Sequence, residues 1–299
     1  SGIAPVRFLE TQHRQMPVGE VKLSNEQLAQ RLGVPCTANT SRTMLLGTLA
    51  LREALAMAGI NSEQLADVAL VSGTTVADMD CVERHFNAAQ SNNALGDCGR
   101  STQEMVQSVG PFGYVTTCST ACSSAANAFI LGANLLRSGR FKQVVVGGTE
   151  CLSRFHFNGF RSLMILDGEP CRPFDDTRAG LNLGEGAAFV VLETAEHAAQ
   201  RGVEVLAELS GWGNACDAFH QTASSDDGIG AVLSMRQALK RAALQPADID
   251  YVNAHGTGTP NNDASESAAL HSVFGEKIPP VSSTKSRTGH TTSASGSIE

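Results

Sequence analysis

The chain has 299 residues and a formal net charge of −8, with a sequence pI near 5.5. Apolar residues make up 42% and charged residues 17%, which describes a compact protein able to bury one large core or two packed halves. Lys and Arg do not cluster, so counterion release cannot drive nucleic-acid binding. No apolar run approaches the ~18 residues of a membrane span, and no basic-then-apolar start resembles a signal peptide, so a cytoplasmic protein without nucleic-acid or membrane partners is expected.

The first residues, 1–23, show no clear period. Ser24 and Gln27 then have the spacing of a capping box, opening a short helix to Leu32 that Gly33 stops. A longer helix is predicted from about Thr40 to Met57, with Leu45/Leu49 and Leu51/Leu55 each four apart, followed by a buried strand at Asp67–Val71. Two helices, Met79–Ala89 and Ser101–Ser108, fill the next excursion. From Val115 the residues are β-branched, small residues surround Cys122, and an almost wholly apolar helix runs on to Gly139, predicting a buried central helix with Cys122 at the strand-to-helix corner. Strands follow at 143–148 and 184–192, and Thr194 caps a helix ended by Gly202. A second series then begins: strand 203–210, helix 229–243, strand 250–254, helix 263–273, strand 280–284 and the start of another helix. This alternation predicts an α/β architecture, largely parallel, in two similar halves, 1–202 and 203–299.

Eight cysteines are scattered without a C-x-x-C pair, which argues against a disulfide scaffold and against structural zinc. In sheets of this class ligands bind beyond the carboxyl ends of strands, and three such ends carry reactive groups. Cys122 lies where a helix N-terminus favours thiolate. His255 enters a Gly/Thr loop, 255–260. Lys285 ends a strand, with His290 five residues on. Cysteine with histidine points to covalent acyl chemistry.

Residue by residue these stretches resemble the β-ketoacyl-acyl carrier protein synthases, condensing enzymes with a thiolase-like fold. Thr120-Ala121-Cys122-Ser123-Ser124 is similar to the family's nucleophile motif, His255-Gly256-Thr257-Gly258-Thr259 to its first histidine motif, and Lys285-Ser286-Arg287-Thr288-Gly289-His290 to its lysine and second histidine. The stretches Val146–Glu150, Arg172–Asp175 and Leu183–Ala187 also match. The resemblance implies an α-β-α-β-α layering of two similar halves, incomplete in this chain, because a Gly-rich first strand and a late Asn-x-x-Phe-Gly-Gly region are missing. It implies acyl transfer to Cys122, whose own N–H contributes to an oxyanion hole, then decarboxylation of a malonyl thioester and condensation. His255 and His290 would stabilise the enolate, Lys285 and Glu299 would hold the network, Thr257, Thr259 and Thr222 would bind the phosphopantetheine arm, and Phe160 would line the acyl pocket.

An acyl carrier protein is the implied partner, a homodimer the implied assembly, and no metal or other cofactor is implied. Arg42, Arg154 or Arg161 could supply a basic docking patch on an otherwise acidic chain. Two other readings remain open: a biosynthetic thiolase, disfavoured by the Lys285/His290 motif, and a non-catalytic, chain-length-determining subunit of a heterodimer. Such subunits typically lack the nucleophile.

Overall fold

The computed structural model describes residues 2–86, 97–220 and 222–299. A four-stranded sheet organises the first two thirds, in the order β4–β3–β5–β6, where β3 is Val68–Gly73, β4 Tyr114–Cys118, β5 Gln143–Glu150 and β6 Gly186–Glu193. β3 runs parallel to β4 and β5, and β6 runs antiparallel to β5. Every residue of β3 and β5 is buried. Alternation along these strands sorts their side chains between two cores. Val68, Leu70 and Val145 pack with Leu51 and Leu55 of α2, Arg42–Met57, whereas Ala69, Val71, Val144 and Val146 pack with Ala128 and Leu135 of α5, Ser124–Arg137. Helices on both faces explain why these strands carry continuous apolar runs.

Toward the site β3 and β5 each carry a glycine at one matched position. Gly73 of β3 is in register with Gly148 of β5. A Cβ on Gly73 would stand 2.8 Å from Ser124 C and 2.7 Å from Ala125 N, and one on Gly148 would stand 2.8 Å from Ser293 O and 3.1 Å from Ala294 Cα. The paired glycines therefore admit the first turn of α5 and the loop after His290 onto the same two strands.

Elsewhere the local rules hold. Ser24 and Gln27 form the reciprocal capping box of α1, Asn25–Leu32, and Gly33 closes it in the left-handed region. Thr194 accepts from His197 N at the start of α7, Ala195–Arg201, which ends at left-handed Gly202. The unpatterned opening pairs Ala4–Pro5 (β1) antiparallel with Pro17–Val18 (β2). The excursion between sheet strands contains α3, Met79–His85, and α4, Cys98–Val109. The distal end of the first expected helix, up to Ala89, lies outside the described residues.

Four expectations are corrected. Residues 203–210 form no strand: they are exposed throughout, and no described strand pairs with them. β-branched alternation there has no ladder to join, and the chain runs on to Trp212, flanked by the guanidiniums of Arg137 and Arg241 at 5.6 and 5.4 Å from its ring centre. Helix α5 is buried on one face only, since Ala126 is exposed and Phe129, Ile130 and Leu131 are half-buried. Strand β6 is an edge, mostly half-exposed, rather than buried on both faces. Arg42 is no docking residue: its guanidinium is buried against Glu185, with Nη2 2.6 Å from Oε1, and also donates to Val21 O, Leu23 O and Asn25 Oδ1. Arg154 stays exposed while its guanidinium reaches Glu83, and Arg161 is exposed as well.

The second series contains α8, Ile229–Ala242, and α9, Pro260–Phe274, beside a parallel pair β7, Val252–Asn253, and β8, Val281–Ser282, then the short helices α10, Lys285–Thr288, and α11, Ser295–Ile298. Among the described residues no helix is long and apolar enough to cross a membrane.

The Arg42–Glu185 pair is a test of the interior. Arg42→Ala leaves Glu185 buried and uncompensated, and unfolding in urea is expected to show a loss of about 3–5 kcal/mol. A loss below ~1 kcal/mol would contradict the buried pairing.

Candidate active site

β4 ends at Cys118, and the chain turns through residues 119–123 into α5. At the apex Ala121 sits at φ +52°, a conformation a residue with a Cβ adopts only when its surroundings enforce it. They do so here: Ser124 Oγ donates to Ala121 O at 2.7 Å, Thr75 Oγ1 donates to the same oxygen at 3.3 Å, and Ser123 Oγ donates to Thr120 O at 2.7 Å. Asn127, one turn into the helix, donates to Thr120 Oγ1 at 2.9 Å. The sharp turn places Cys122 at the foot of α5.

His290 approaches from the opposite end of the chain. Its N–H donates to Asn182 O at 2.7 Å and its carbonyl accepts from Gly184 N at 2.9 Å, which ties it beside β6. Its ring Nε2 lies 2.9 Å from Cys122 Sγ, and Nδ1 lies 3.1 Å from Ser295 Oγ. His255 follows β7. Its N–H and that of Gly256 both donate to Glu266 at 2.7 Å, fixing the Gly/Thr loop on α9. The two imidazoles meet edge to face, with centres 5.1 Å apart. Phe160 stands edge to face with His290 at 6.4 Å and with His156 at 6.1 Å. Lys285 is buried and ion-paired with Glu299.

Thus Cys122, His255 and Phe160 are gathered around His290, and the Lys285 charge acts on the thiol and both rings. Thr257 and Thr259 are buried in the loop after His255, with hydroxyls 2.9 Å apart. Thr222 is exposed and donates its N–H to His220, and among the described residues no hydrogen bond joins it to Cys122, His255 or His290. Sequence reasoning missed Ser295, which faces His290 Nδ1 from one turn downstream; Glu266 and Asp263, which accept the N–H groups of the Gly/Thr loop; and Glu150. Only the Glu150 motif had drawn notice, as a family match without a role.

Burial dominates the electrostatics. It lowers His255 to about 3, with Lys285 reinforcing the shift. It takes His290 well below the ordinary histidine range, helped by His255, Lys285 and His156. It pushes the Cys122 thiol up to about 11, although Lys285 and the cysteine's own backbone N–H pull the other way. Burial therefore works against the thiolate that the helix terminus favours, and it holds both imidazoles toward their neutral form. The sulfur and ring nitrogens of Cys122, His255 and His290 all lie within 4.8 Å of one another, a spacing that could hold a metal ion. The ammonium of Lys285 beside them opposes a cation.

A thiol, two imidazoles and a strained turn at a helix foot thus stand together, and comparison with known proteins gives the family in which they stand. Residues 34–198 match the β-ketoacyl synthase N-terminal domain and residues 206–299 the β-ketoacyl synthase C-terminal domain. The chain belongs to the β-ketoacyl synthase family. It is 40% identical over 189 residues to the 3-oxoacyl-[acyl-carrier-protein] synthase 2 of Synechocystis, covering 60% of this chain and 45% of that protein. Against the synthase of the same name from Staphylococcus aureus it is 40% identical over 199 residues, 64% and 48% of the two chains. The chain thus spans about half the length of the curated relatives it matches. Among solved structures, the ishigamide ketosynthase/chain length factor superposes with a TM-score of 0.90 at 29% identity, over 100% of this chain and 76% of that one. The ketosynthase of Xenorhabdus doucetiae, solved in complex with its chain length factor, gives 0.77 at 30% identity, over 99% and 74%. The fold is the thiolase-like α/β fold of ketosynthases.

The buried neutral histidines carry a pH signature. Unfolded histidines take up protons near pH ~6.5, whereas His255 does so only at about 3 in the folded chain, so stability falls as pH drops below ~6.5. Thermal unfolding of His255→Asn between pH ~6.5 and ~4 should show a shallower loss of Tm than the parent. Identical slopes would show that His255 is not held neutral.

Proposed function

We propose that the chain performs the decarboxylative condensation of a β-ketoacyl-acyl carrier protein synthase, with residues 1–202 supplying the nucleophile and 203–299 the two histidines. The observation that carries this reading is the 2.9 Å approach of His290 Nε2 to Cys122 Sγ, with His255 packed on the same imidazole. In the first stage the Cys122 sulfur attacks the carbonyl of an acyl thioester on acyl carrier protein. The S–H proton passes by way of His290 to the departing phosphopantetheine thiolate, leaving an acyl-Cys122 thioester and a free carrier thiol. The backbone N–H of Cys122 supplies part of the oxyanion hole.

In the second stage a malonyl thioester loses carbon dioxide. The electron pair of the broken carbon–carbon bond forms an enolate, whose oxygen is stabilised by N–H donors of His255 and His290. The enolate carbon attacks the acyl carbonyl, Cys122 leaves as thiolate, and a proton from solvent restores the thiol. Burial, reinforced by Lys285 held by Glu299, keeps both imidazoles neutral and therefore able to donate from one nitrogen while accepting at the other. Ser295 at His290 Nδ1 can turn its hydroxyl to suit either tautomer. Thr257 and Thr259 hold the phosphopantetheine arm, Thr222 contributes from the surface, and Phe160 borders the acyl chain beside His290.

The partner in this reading is an acyl carrier protein, the assembly a homodimer, the location the cytoplasm, and no cofactor beyond the carrier's own arm takes part. Retention of Cys122 with both histidines favours this over a chain-length-determining subunit, although two of the structural relatives are described with a chain length factor.

Mass spectrometry after incubation with acyl-carrier thioester should show one acyl adduct, on Cys122, that Cys122→Ala abolishes. An adduct on another cysteine, or one that survives the substitution, overturns the reading. His255→Ala should suppress malonyl decarboxylation by about 10²–10⁴-fold and slow acyl loading by at least tenfold less. Equal losses in both steps would contradict the division of labour.

A further inference from the structure

Glu150, the last residue of β5, is fully buried and touches none of the reacting groups. Its carboxylate gathers donors from two separate loops. From the turn after β3 it accepts Thr74 Oγ1 at 2.9 Å, Thr75 N at 2.8 Å and Val76 N at 3.3 Å. From the loop after His290 it accepts Ser293 Oγ at 2.6 Å. Thr75, fixed through its N–H, passes the connection on by donating Oγ1 to Ala121 O, at the apex of the nucleophile turn.

The three segments joined in this way share an unusual feature. Each contains a non-glycine residue forced to positive φ: Ala77 at +47°, Ala121 at +52° and Thr292 at +47°. Such residues persist only where several contacts hold them at once. Ala77 lies on the β3 turn, Ala121 precedes Cys122, and Thr292 lies two residues after His290. The glycine notch at Gly73 and Gly148 lets these segments close on the strand ends, but a notch supplies room and no restraint. Glu150 supplies the restraint.

We propose that Glu150 is a positioning residue for the condensation: its buried carboxylate locks the nucleophile turn and the His290 loop into mutual register and so sets the sulfur-to-imidazole distance. This inference rests on the reading of Cys122 and His290 given above. The two fail separately, because loss of the acyl adduct in Cys122→Ala tests that reading alone.

The test compares Glu150→Ala and Glu150→Gln in the full chain, measuring kcat, KM, Tm and the rate of Cys122 alkylation by iodoacetamide. Without the carboxylate the turn should loosen. The expected pattern is a fall in kcat of tenfold or more with KM changed less than threefold, together with faster alkylation of Cys122 as its burial is relieved. Glu150→Gln keeps one accepting oxygen but sets an NH₂ against the N–H groups of the β3 turn, and it should fall between parent and Glu150→Ala. A folded Glu150→Ala with kcat within twofold of the parent overturns the proposal. So does a parallel fall of kcat, alkylation rate and Tm, which marks a purely structural carboxylate. If Glu150→Ala does not fold, Ser293→Ala and Thr75→Val remove one tether from each loop. Each should then lower kcat by threefold or more while raising alkylation, and the double variant should cost less than the product of the two; unchanged kcat in both overturns the proposal.

Discussion

The site depends on the parallel pairing of β3 with β5, which brings Gly73 opposite Gly148. At this pair the two strands leave a gap that admits the first turn of α5 from one direction and residues 293–294 from the other. The thiol and the second imidazole are 168 positions apart in sequence, and they meet because both supporting backbones rest on the same pair of glycines. A side chain at either glycine would push one backbone away from the strands and separate the sulfur from the ring, with no change to either reacting residue.

Above that contact the polar groups divide into those that react and those that hold. Glu266 fixes the first histidine through two backbone N–H groups, Asn182 and Gly184 fix the second, and Ser124, Thr75 and Asn127 secure the turn at Ala121 and Thr120. The side chains of the site can therefore be buried without leaving the supporting backbone unsatisfied. Dehydration sets the protonation states in turn. A helix N-terminus contributes a few tenths to about one kcal/mol toward an anion, which is less than the cost of burying a lone thiolate, and the thiol stays neutral until a substrate arrives.

Much of this architecture was legible in the sequence. Local signals such as the Ser24/Gln27 box, the stop at Gly202 and the apolar run at 143–148 were enough to find elements whose geometry is set within a few residues. The Cys/His/His constellation was legible for another reason: each residue stands in a motif specific to one family. What could not be read depends on partners distant in the chain. The stretch at 203–210 has the composition of a strand, but a strand exists only when another pairs with it. Arg42 looks like a surface cation until Glu185, 143 positions away, is placed against it. The sign of the Cys122 shift needed the depth of burial, and Glu150 had no visible role until Ser293 and the β3 turn converged on its carboxylate.

The lowered acidity of the Cys122 thiol has a chemical consequence. With the thiol at about 11, only about one molecule in 10⁴ carries a sulfur anion at pH 7. Peroxide attacks the anion, so the burial that holds the thiol neutral also works against its conversion to sulfenic and then irreversible sulfinic acid.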